Sequence, residues 1–289
     1  AIAQLVRARG DAERPADERE VEFRRTERAL VEARVSARLL SWATGRVRDS
    51  ATGLAPAASG AEVAEVMRTE ADAIAREISA ALAAIAGGLV EALPKPQDGP
   101  LTVLLHGSQG ALAGGLVGSG ITALARLRDE GRELRIFVPE GRPFMDGARL
   151  ASWELRQAEL EHKIVPDSAV AWLLEREPID AVLFAAEWVA ANGDTGALIG
   201  ARAIAQLVRA RGDAERPRML VHCLAATRAP DSPDGASIPV ELRPARDLSA
   251  YLADVPVRTA DALVPGADVI PAAAIDAFIT EQGTSTGAD

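Results

Sequence analysis

The chain has 289 residues, 48% of them hydrophobic and 26% charged, a balance that suits a folded globular protein and argues against disorder. Its formal net charge of −10 disfavours a broad surface for nucleic acid or an acidic membrane. One cysteine, Cys223, excludes an internal disulfide framework and a cysteine-rich metal or iron–sulfur centre; only Lys95 and Lys163 are lysines, and neither sits in a P-loop.

The opening segment Ala1–Pro15, AIAQLVRARGDAERP, recurs letter for letter at Ala203–Pro217. Repeat architectures show drifted copies at periods of ~20–50 residues, so the first copy reads as an artefactual duplicate and carries no weight in functional reasoning. The second sits between a helical run and the strand-like Met219–Leu224, as native sequence should. The start is rich in Arg and acids without an apolar h-region, which is not a signal peptide. The longest apolar stretch, Ile78–Val90, is shorter than the ~20 residues a bilayer span needs. A cytoplasmic protein with no membrane contact is the expectation.

Apolar residues at Val21, Leu30, Val31, Val35, Leu39 and Leu40 predict one long amphipathic helix from Ala16 to about Arg48. Asp49–Gly60 reads as a loop, and Ala61–Leu93 as one or two further helices. Pro94-Lys-Pro-Gln-Asp-Gly-Pro100 breaks helix, so a helical domain over 16–97 is expected to precede an α/β domain over 98–289. In the latter, candidate strands Leu101–His106, Leu134–Pro139, Lys163–Val165, Ala181–Ala185 and Met219–Leu224 alternate with helical runs after the first four. That alternation predicts a Rossmann-like parallel sheet with helices on both faces, its ligand lying at the carboxyl ends of the strands.

The first candidate strand runs into His106-Gly-Ser-Gln-Gly110 and a Gly-rich continuation to Gly120. Such a turn opening a helix presents N–H groups to an anion, or else lets the helix pack closely on the sheet. The dinucleotide fingerprint is absent in the required register, and the G-x-S-x-G elbow of α/β-hydrolases is absent too, since Ser108 follows His106 where that elbow needs Gly. The three histidines, His106, His162 and His222, lack metal-ligand spacing, so no metal and no cofactor is expected. His106 and His222 read as hydrogen-bonded structural histidines, with His106 also placed for function, and Cys223 as a buried strand thiol. Glu187, just past the apolar strand AVLFAA, is placed where burial can raise a carboxyl pKa, and Asp146 lies in another strand-end loop; each can equally be a helix cap or a surface acid, the better reading for Asp146.

Taken in order, these segments resemble the family that contains methylthioribose-1-phosphate isomerase, ribose-1,5-bisphosphate isomerase and the alpha, beta and delta subunits of translation initiation factor 2B. The most specific piece is Arg142-Pro-Phe-Met-Asp-Gly-Ala-Arg-Leu-Ala-Ser-Trp-Glu-Leu155, close to the family's R-P-x-x-Q-G-A-R-L-T-A-W-E-L. Ala191-Asn-Gly-Asp194, Ile238-Pro-Val-Glu-Leu-Arg243 and Pro265-Gly-Ala-Asp-Val-Ile-Pro271 support it, over about Leu101 to Gly283. The resemblance implies a homodimer acting on a sugar or sugar phosphate.

The departures bear on function. The isomerases' catalytic cysteine falls on Gly107 and their aspartate on Glu187; their phosphate-gripping Asn-Lys pair falls on Ala197 and Leu198, and the glutamine of R-P-x-x-Q-G on Asp146. Their R-G-A-P motif is missing. What remains implies Glu187 as acid/base with Ser108 and Asp146 as catalytic partners. The ligand would lie against His106, Gly107, Gln109, Gly110, Arg142, Asn192 and Gly193. Two readings follow: a divergent aldose–ketose isomerase-like protein, or a non-catalytic regulatory homologue resembling the initiation-factor subunits.

Overall fold

A computed structural model describes residues 16–52, 54, 58–110, 118–212, 216–251 and 261–286, so the duplicated Ala1–Pro15 lies outside the described residues. The long first helix is two: α1 (Ala16–Ala33) and α2 (Arg38–Ser50), separated by a turn at 34–37. Helix propensity does not break the chain there. The turn is held from outside, because the N–H of Arg38 donates to the Glu187 carbonyl at 3.3 Å and the buried Ser36 hydroxyl is drawn to two carboxylates.

The next helical stretch is a single helix, α3 (Gly60–Ala92). Ser59 opens it with a capping box, its Oγ accepting from the Glu62 N–H at 3.3 Å while the Glu62 carboxylate accepts from the Ser59 N–H at 2.8 Å. By length and composition α3 could cross a membrane, yet Met67, Ile74, Ile78, Ile85 and Leu89 are buried within the protein. They join Val103 and Leu105 of the first strand and Ile121 and Leu124 of the following helix in one apolar cluster.

The sheet comprises β1 (Leu101–His106), β2 (Leu134–Pro139), β3 (Lys163–Val165), β4 (Ala181–Ala185), β7 (Arg218–His222), β12 (Ala277–Thr280) and β13 (Gly283–Ser285). Their order is β13-β12-β7-β4-β1-β2-β3, parallel throughout except for the β12–β13 hairpin. Along β1, Leu101, Val103 and Leu105 face the α3 side, whereas Leu104 packs with Phe137, Val182 and Phe184 in a second cluster. Helices α4 (Ser119–Asp129) and α5 (Ser152–Gln157) belong to the first face; α6 (Val170–Arg176) and α7 (Ala201–Arg209) belong to the second. The chain is thus α/β, with helices leading into a parallel-rich sheet wound on both faces.

The expected strands recur, with β7 starting and ending slightly earlier than Met219–Leu224. A second sheet is additional. After β4 the chain does not enter a helix directly but forms β5 (Trp188–Ala190) and β6 (Thr195–Leu198), which with β8 (Arg228–Ala229) and β11 (Ala267–Ile270) make the order β11-β6-β5-β8. A small antiparallel pair, β9 (Leu242–Arg243) and β10 (Val264–Pro265), completes the arm. In the main sheet the order reverses between β1 and β4, and there a crevice opens at the strands' carboxyl ends.

The chain leaving β1 closes tightly on the start of α4. A Cβ on Gly118 would lie 1.9 Å from the Gln109 carbonyl oxygen, so no larger residue fits without moving backbone. Gly118→Ala should therefore lower stability by about 3 kcal/mol in urea unfolding at pH 7, as overpacking against an immobile group does. A loss below about 1 kcal/mol would show that this neck is loose.

Candidate functional site

Two adjoining cavities occupy the crevice. The first, about 200 Å³, is lined by Ser108, Gln109 and Gly110 after β1, Ala185–Glu187 after β4, Cys223 and Leu224 after β7, Leu198 of β6, and Leu39 and Leu82 of the helices. The second, about 280 Å³, is lined by Arg34, Phe144, Asp146, Glu241, Arg243 and Gly266. Glu187 and Arg34 join them.

Glu187 is fixed at both backbone and side chain. Its N–H donates to the Gly196 carbonyl at 2.8 Å, which continues the β5–β6 pairing. Its Oε1 accepts from Arg34 Nη2 at 2.5 Å and its Oε2 from the Ser36 hydroxyl at 3.4 Å. That hydroxyl also lies 3.3 Å from Glu241 Oε1, so its single proton is shared between two carboxylates. Burial pushes the Glu187 carboxyl above its ordinary range; the Arg34 cation pulls it down, while Glu241 raises it. The group therefore keeps its proton to a higher pH than an exposed glutamate does.

Asp146 precedes a π-helical turn at Gly147–Ala151 and makes no side-chain cap, so the capping alternative fails. It faces the second cavity half-buried. Desolvation raises its pKa against the pull of Arg34 and Arg149. Ser108 shares the first cavity with Glu187, its Oγ accepting from the Gly110 N–H at 3.5 Å.

Beneath that cavity lies a polar network already satisfied. Gln109 is fully buried, its amide nitrogen donating to the carbonyls of His106 at 3.0 Å and Gly107 at 3.3 Å. Its Oε1 must accept, so His222 Nε2, at 2.9 Å, carries the proton, and His222 Nδ1 accepts from Ser119 at 3.0 Å. Burial holds His222 down at about 4, neutral at physiological pH. Both N–H groups of the Gln109 amide are thus committed to backbone carbonyls, and its Oε1 is held by His222. His106 is also buried and pushed down by burial, with Nε2 3.4 Å from the Leu198 carbonyl and Nδ1 without a partner among the described residues. His162 is held by Ser152 at 2.8 Å, and burial raises the Cys223 thiol to about 11.

The other residues expected at the ligand are placed as follows. Arg142 lines neither cavity; its guanidinium lies 3.6 Å from Glu140 and its N–H donates to Asp167 at 2.6 Å. Asn192 and Gly193 form the β5–β6 turn, where the Asn192 amide and Asp194 bond each other at 2.9 Å and Gly193 takes a positive φ of 85°. Gly107, at φ 75°, contributes backbone alone, and a Cβ there would lie 2.9 Å from Leu198 Cδ1. Arg34, Ser36 and Glu241 were missed in the sequence. Arg34 and Glu187 are separated by 153 residues, and nothing local marks an arginine in an Arg-rich helix as the one that reaches the sheet.

The profile of the initiation factor 2 subunit family matches residues 1–287. The chain belongs to that family. Among curated family relatives, a protein of Nocardia farcinica named as probable bifunctional methylthioribose-1-phosphate isomerase/methylthioribulose-1-phosphate dehydratase is 36% identical over 89% of this chain and 45% of its own length. The methylthioribose-1-phosphate isomerase of Roseiflexus castenholzii is 34% identical over 84% of this chain and 67% of its own. The chain therefore spans under half of the first relative and about two thirds of the second. Of solved structures, the 5-methylthioribose 1-phosphate isomerase of Pyrococcus horikoshii superposes with a TM-score of 0.79 at 22% identity, over 99% of this chain and 77% of that one. Translation initiation factor eIF-2B subunit delta from A. fulgidus gives 0.69 at 22%, over 93% and 76%. These likenesses establish the fold.

The family-like W-E-L segment supplies one more buried carboxyl. Glu154 is wholly inaccessible; its Oε2 accepts from the Gly118 N–H at 2.9 Å and its Oε1 has no partner among the described residues. Burial pushes it up to about 7 despite that bond. The folded protein thus holds this proton more tightly than the unfolded chain, for which 4.5 is the ordinary value, and the group's contribution to stability falls as pH rises from about 4.5 to about 7. The loss is about 3 kcal/mol at about 1.4 kcal/mol per pH unit. Glu154→Gln should match the wild type in urea unfolding at pH 4.5 and exceed it at pH 8; equal pH slopes for the two proteins would refute this.

Proposed function

We propose that this protein is a divergent isomerase-like member of its family that binds a sugar or sugar phosphate and interconverts aldose and ketose. The observation that carries the reading is the Glu187 carboxyl, raised by burial yet held by Arg34, facing a cavity at the point where strand order reverses. Moving a carbonyl from C1 to C2 by proton transfer, rather than by a hydride shift, uses a base that takes the C2 proton and returns it to C1, while hydroxyl protons shift between the two oxygens; no external oxidant is involved. Glu187 serves as that base and acid. Ser108 lies across the same cavity to hydrogen-bond a substrate oxygen, and Asp146 borders the adjoining one. Relatives named as methylthioribose-1-phosphate isomerases support the reaction class.

A regulatory, non-catalytic role is the second reading. It is favoured by Gly107, which supplies no side chain where the resemblance expects a cysteine, and by Leu198, which buries an apolar group where it expects a lysine. Under either reading the protein is proposed to work in the cytoplasm as a homodimer, without nucleic-acid or membrane partners. The exposed Leu242, Leu248, Tyr251 and Leu263 on the β9–β10 arm support a partner surface.

Exchange of the C2 proton in deuterated water, followed by NMR over a panel of pentoses and pentose phosphates, tests the enzyme reading. Turnover of at least one member is expected, and Glu187→Gln should lower kcat by about a hundredfold or more with little change in KM. A folded protein inert toward the whole panel would leave the regulatory reading.

A further inference from the structure

Ser36 stands between the two cavities. Its buried hydroxyl, in the turn joining α1 to α2, lies 3.4 Å from Oε2 of Glu187, which lines the first cavity, and 3.3 Å from Oε1 of Glu241, which lines the second. A hydroxyl has one proton to donate and lone pairs that accept. When Ser36 donates to Glu187 it turns a lone pair toward Glu241. Two ionised carboxylates would therefore leave one oxygen facing another with no proton between them, which is costly in a buried site. One further proton removes that contact: a protonated Glu241 donates to the Ser36 oxygen while the Ser36 hydroxyl donates to Glu187.

The surrounding charges decide where that proton rests. Glu187 Oε1 has Arg34 Nη2 at 2.5 Å, whereas Glu241 Oε2 is buried with no partner among the described residues. The other charged groups lining the second cavity are Arg243, paired with Asp247 at 3.1 Å, and Asp146, on which Arg149 acts. In the first cavity His222 and Cys223 are both held neutral by burial, and Arg38, whose N–H donates to the Glu187 carbonyl, pairs with Asp231 at 3.1 Å. We propose that Glu187 and Glu241 share one proton through Ser36, and that Glu241 is the positioning residue that holds it while Glu187 acts as the base. In the relay the Glu241 proton passes to the Ser36 oxygen as the Ser36 proton passes to Glu187 Oε2; Glu241 ends ionised, Glu187 ends neutral, and no co-reactant takes part. Ionised Glu187 takes a proton from carbon and neutral Glu187 donates to a carbonyl oxygen, so the relay converts base to acid at constant total charge. The assignment rests on the acid/base role given to Glu187 above and deepens it; the sharing itself is measured without substrate, so the two can fail separately.

Carbon-13 NMR titration of the Glu187 and Glu241 side-chain carboxyls, each assigned by its loss in Glu187→Gln or Glu241→Gln, tests the sharing. In the wild type both resonances should move in the same two steps, more than about one pH unit apart, because the protons belong to the pair. Ser36→Ala should draw the steps together and Ser36→Thr should restore their separation, a response that a merely structural serine does not give. Glu241→Gln, whose amide imitates the proton-holding form, should leave Glu187 a single step with a proton affinity about tenfold below that of the upper wild-type step. Should the serine variants fail to fold, the wild type and Glu241→Gln decide the matter. Independent single steps at the two carboxyls in the wild type, or a Glu187 midpoint unmoved by Glu241→Gln, would overturn the inference and leave the isomerase reading standing. Coupled steps in a protein inert toward the whole pentose panel would keep the shared proton and overturn its catalytic use together with the isomerase reading.

Discussion

The ion pair between Arg34 and Glu187, at 2.5 Å, is the contact around which the rest is arranged. It joins a turn between two N-terminal helices to the end of the central strand β4, and the neighbouring Ser36 hydroxyl and Arg38 N–H tie the same turn to Glu187 and Glu241. A carboxyl so far buried would otherwise take a proton and stop acting as a base. The arginine keeps it ionisable. The pairing also explains why the helical arm breaks where its own propensities favour continuing, since the energy of one helical turn is small beside that of leaving a buried carboxylate unpaired.

The polar groups around the crevice divide into those with capacity for a ligand and those without. Gln109, His222 and Ser119 satisfy one another in a buried chain that fixes the turn after β1 against α4. Glu154 holds the same neck from below through the Gly118 N–H. Because every side-chain donor of the Gln109–His222–Ser119 chain has its partner, that chain forms a rigid floor to the cavity. Capacity remains at Ser108, Glu187 and Asp146, and all three border cavities.

Strands β1, β2, β4 and β7 were legible because largely buried strands read as short apolar runs between turn signals, as in LTVLLH and AVLFA, and the exposed three-residue β3 was legible from its place in the alternation of strands and helices. The three- and four-residue strands of the second sheet were not, since Thr195–Leu198 contains a glycine and only two apolar residues and gains its conformation from pairing with β11. Glu187, Ser108 and Asp146 are placed at strand ends by the sequence, and all three border cavities in the structure. A motif fixes where residues lie in the chain but not which way a side chain turns: Arg142 turns to Glu140, and Asn192 closes a hairpin. Burial, which no local pattern reveals, commits the Gln109 amide nitrogen to the backbone. Arg34, Ser36 and Glu241 depend on long-range contacts that a helical pattern does not encode.

The most direct measurement is the titration of the Glu187 side-chain carboxyl by carbon-13 NMR, assigned by its absence in Glu187→Gln and repeated in Arg34→Met. With Arg34 present, desolvation and the guanidinium oppose each other; with it removed, the Ser36 hydroxyl alone opposes desolvation and Glu241. The account predicts a midpoint above the ordinary glutamate value in the wild type and a further rise in the variant. Identical midpoints in the two proteins would show that Arg34 does not govern this carboxyl, and would contradict the central claim.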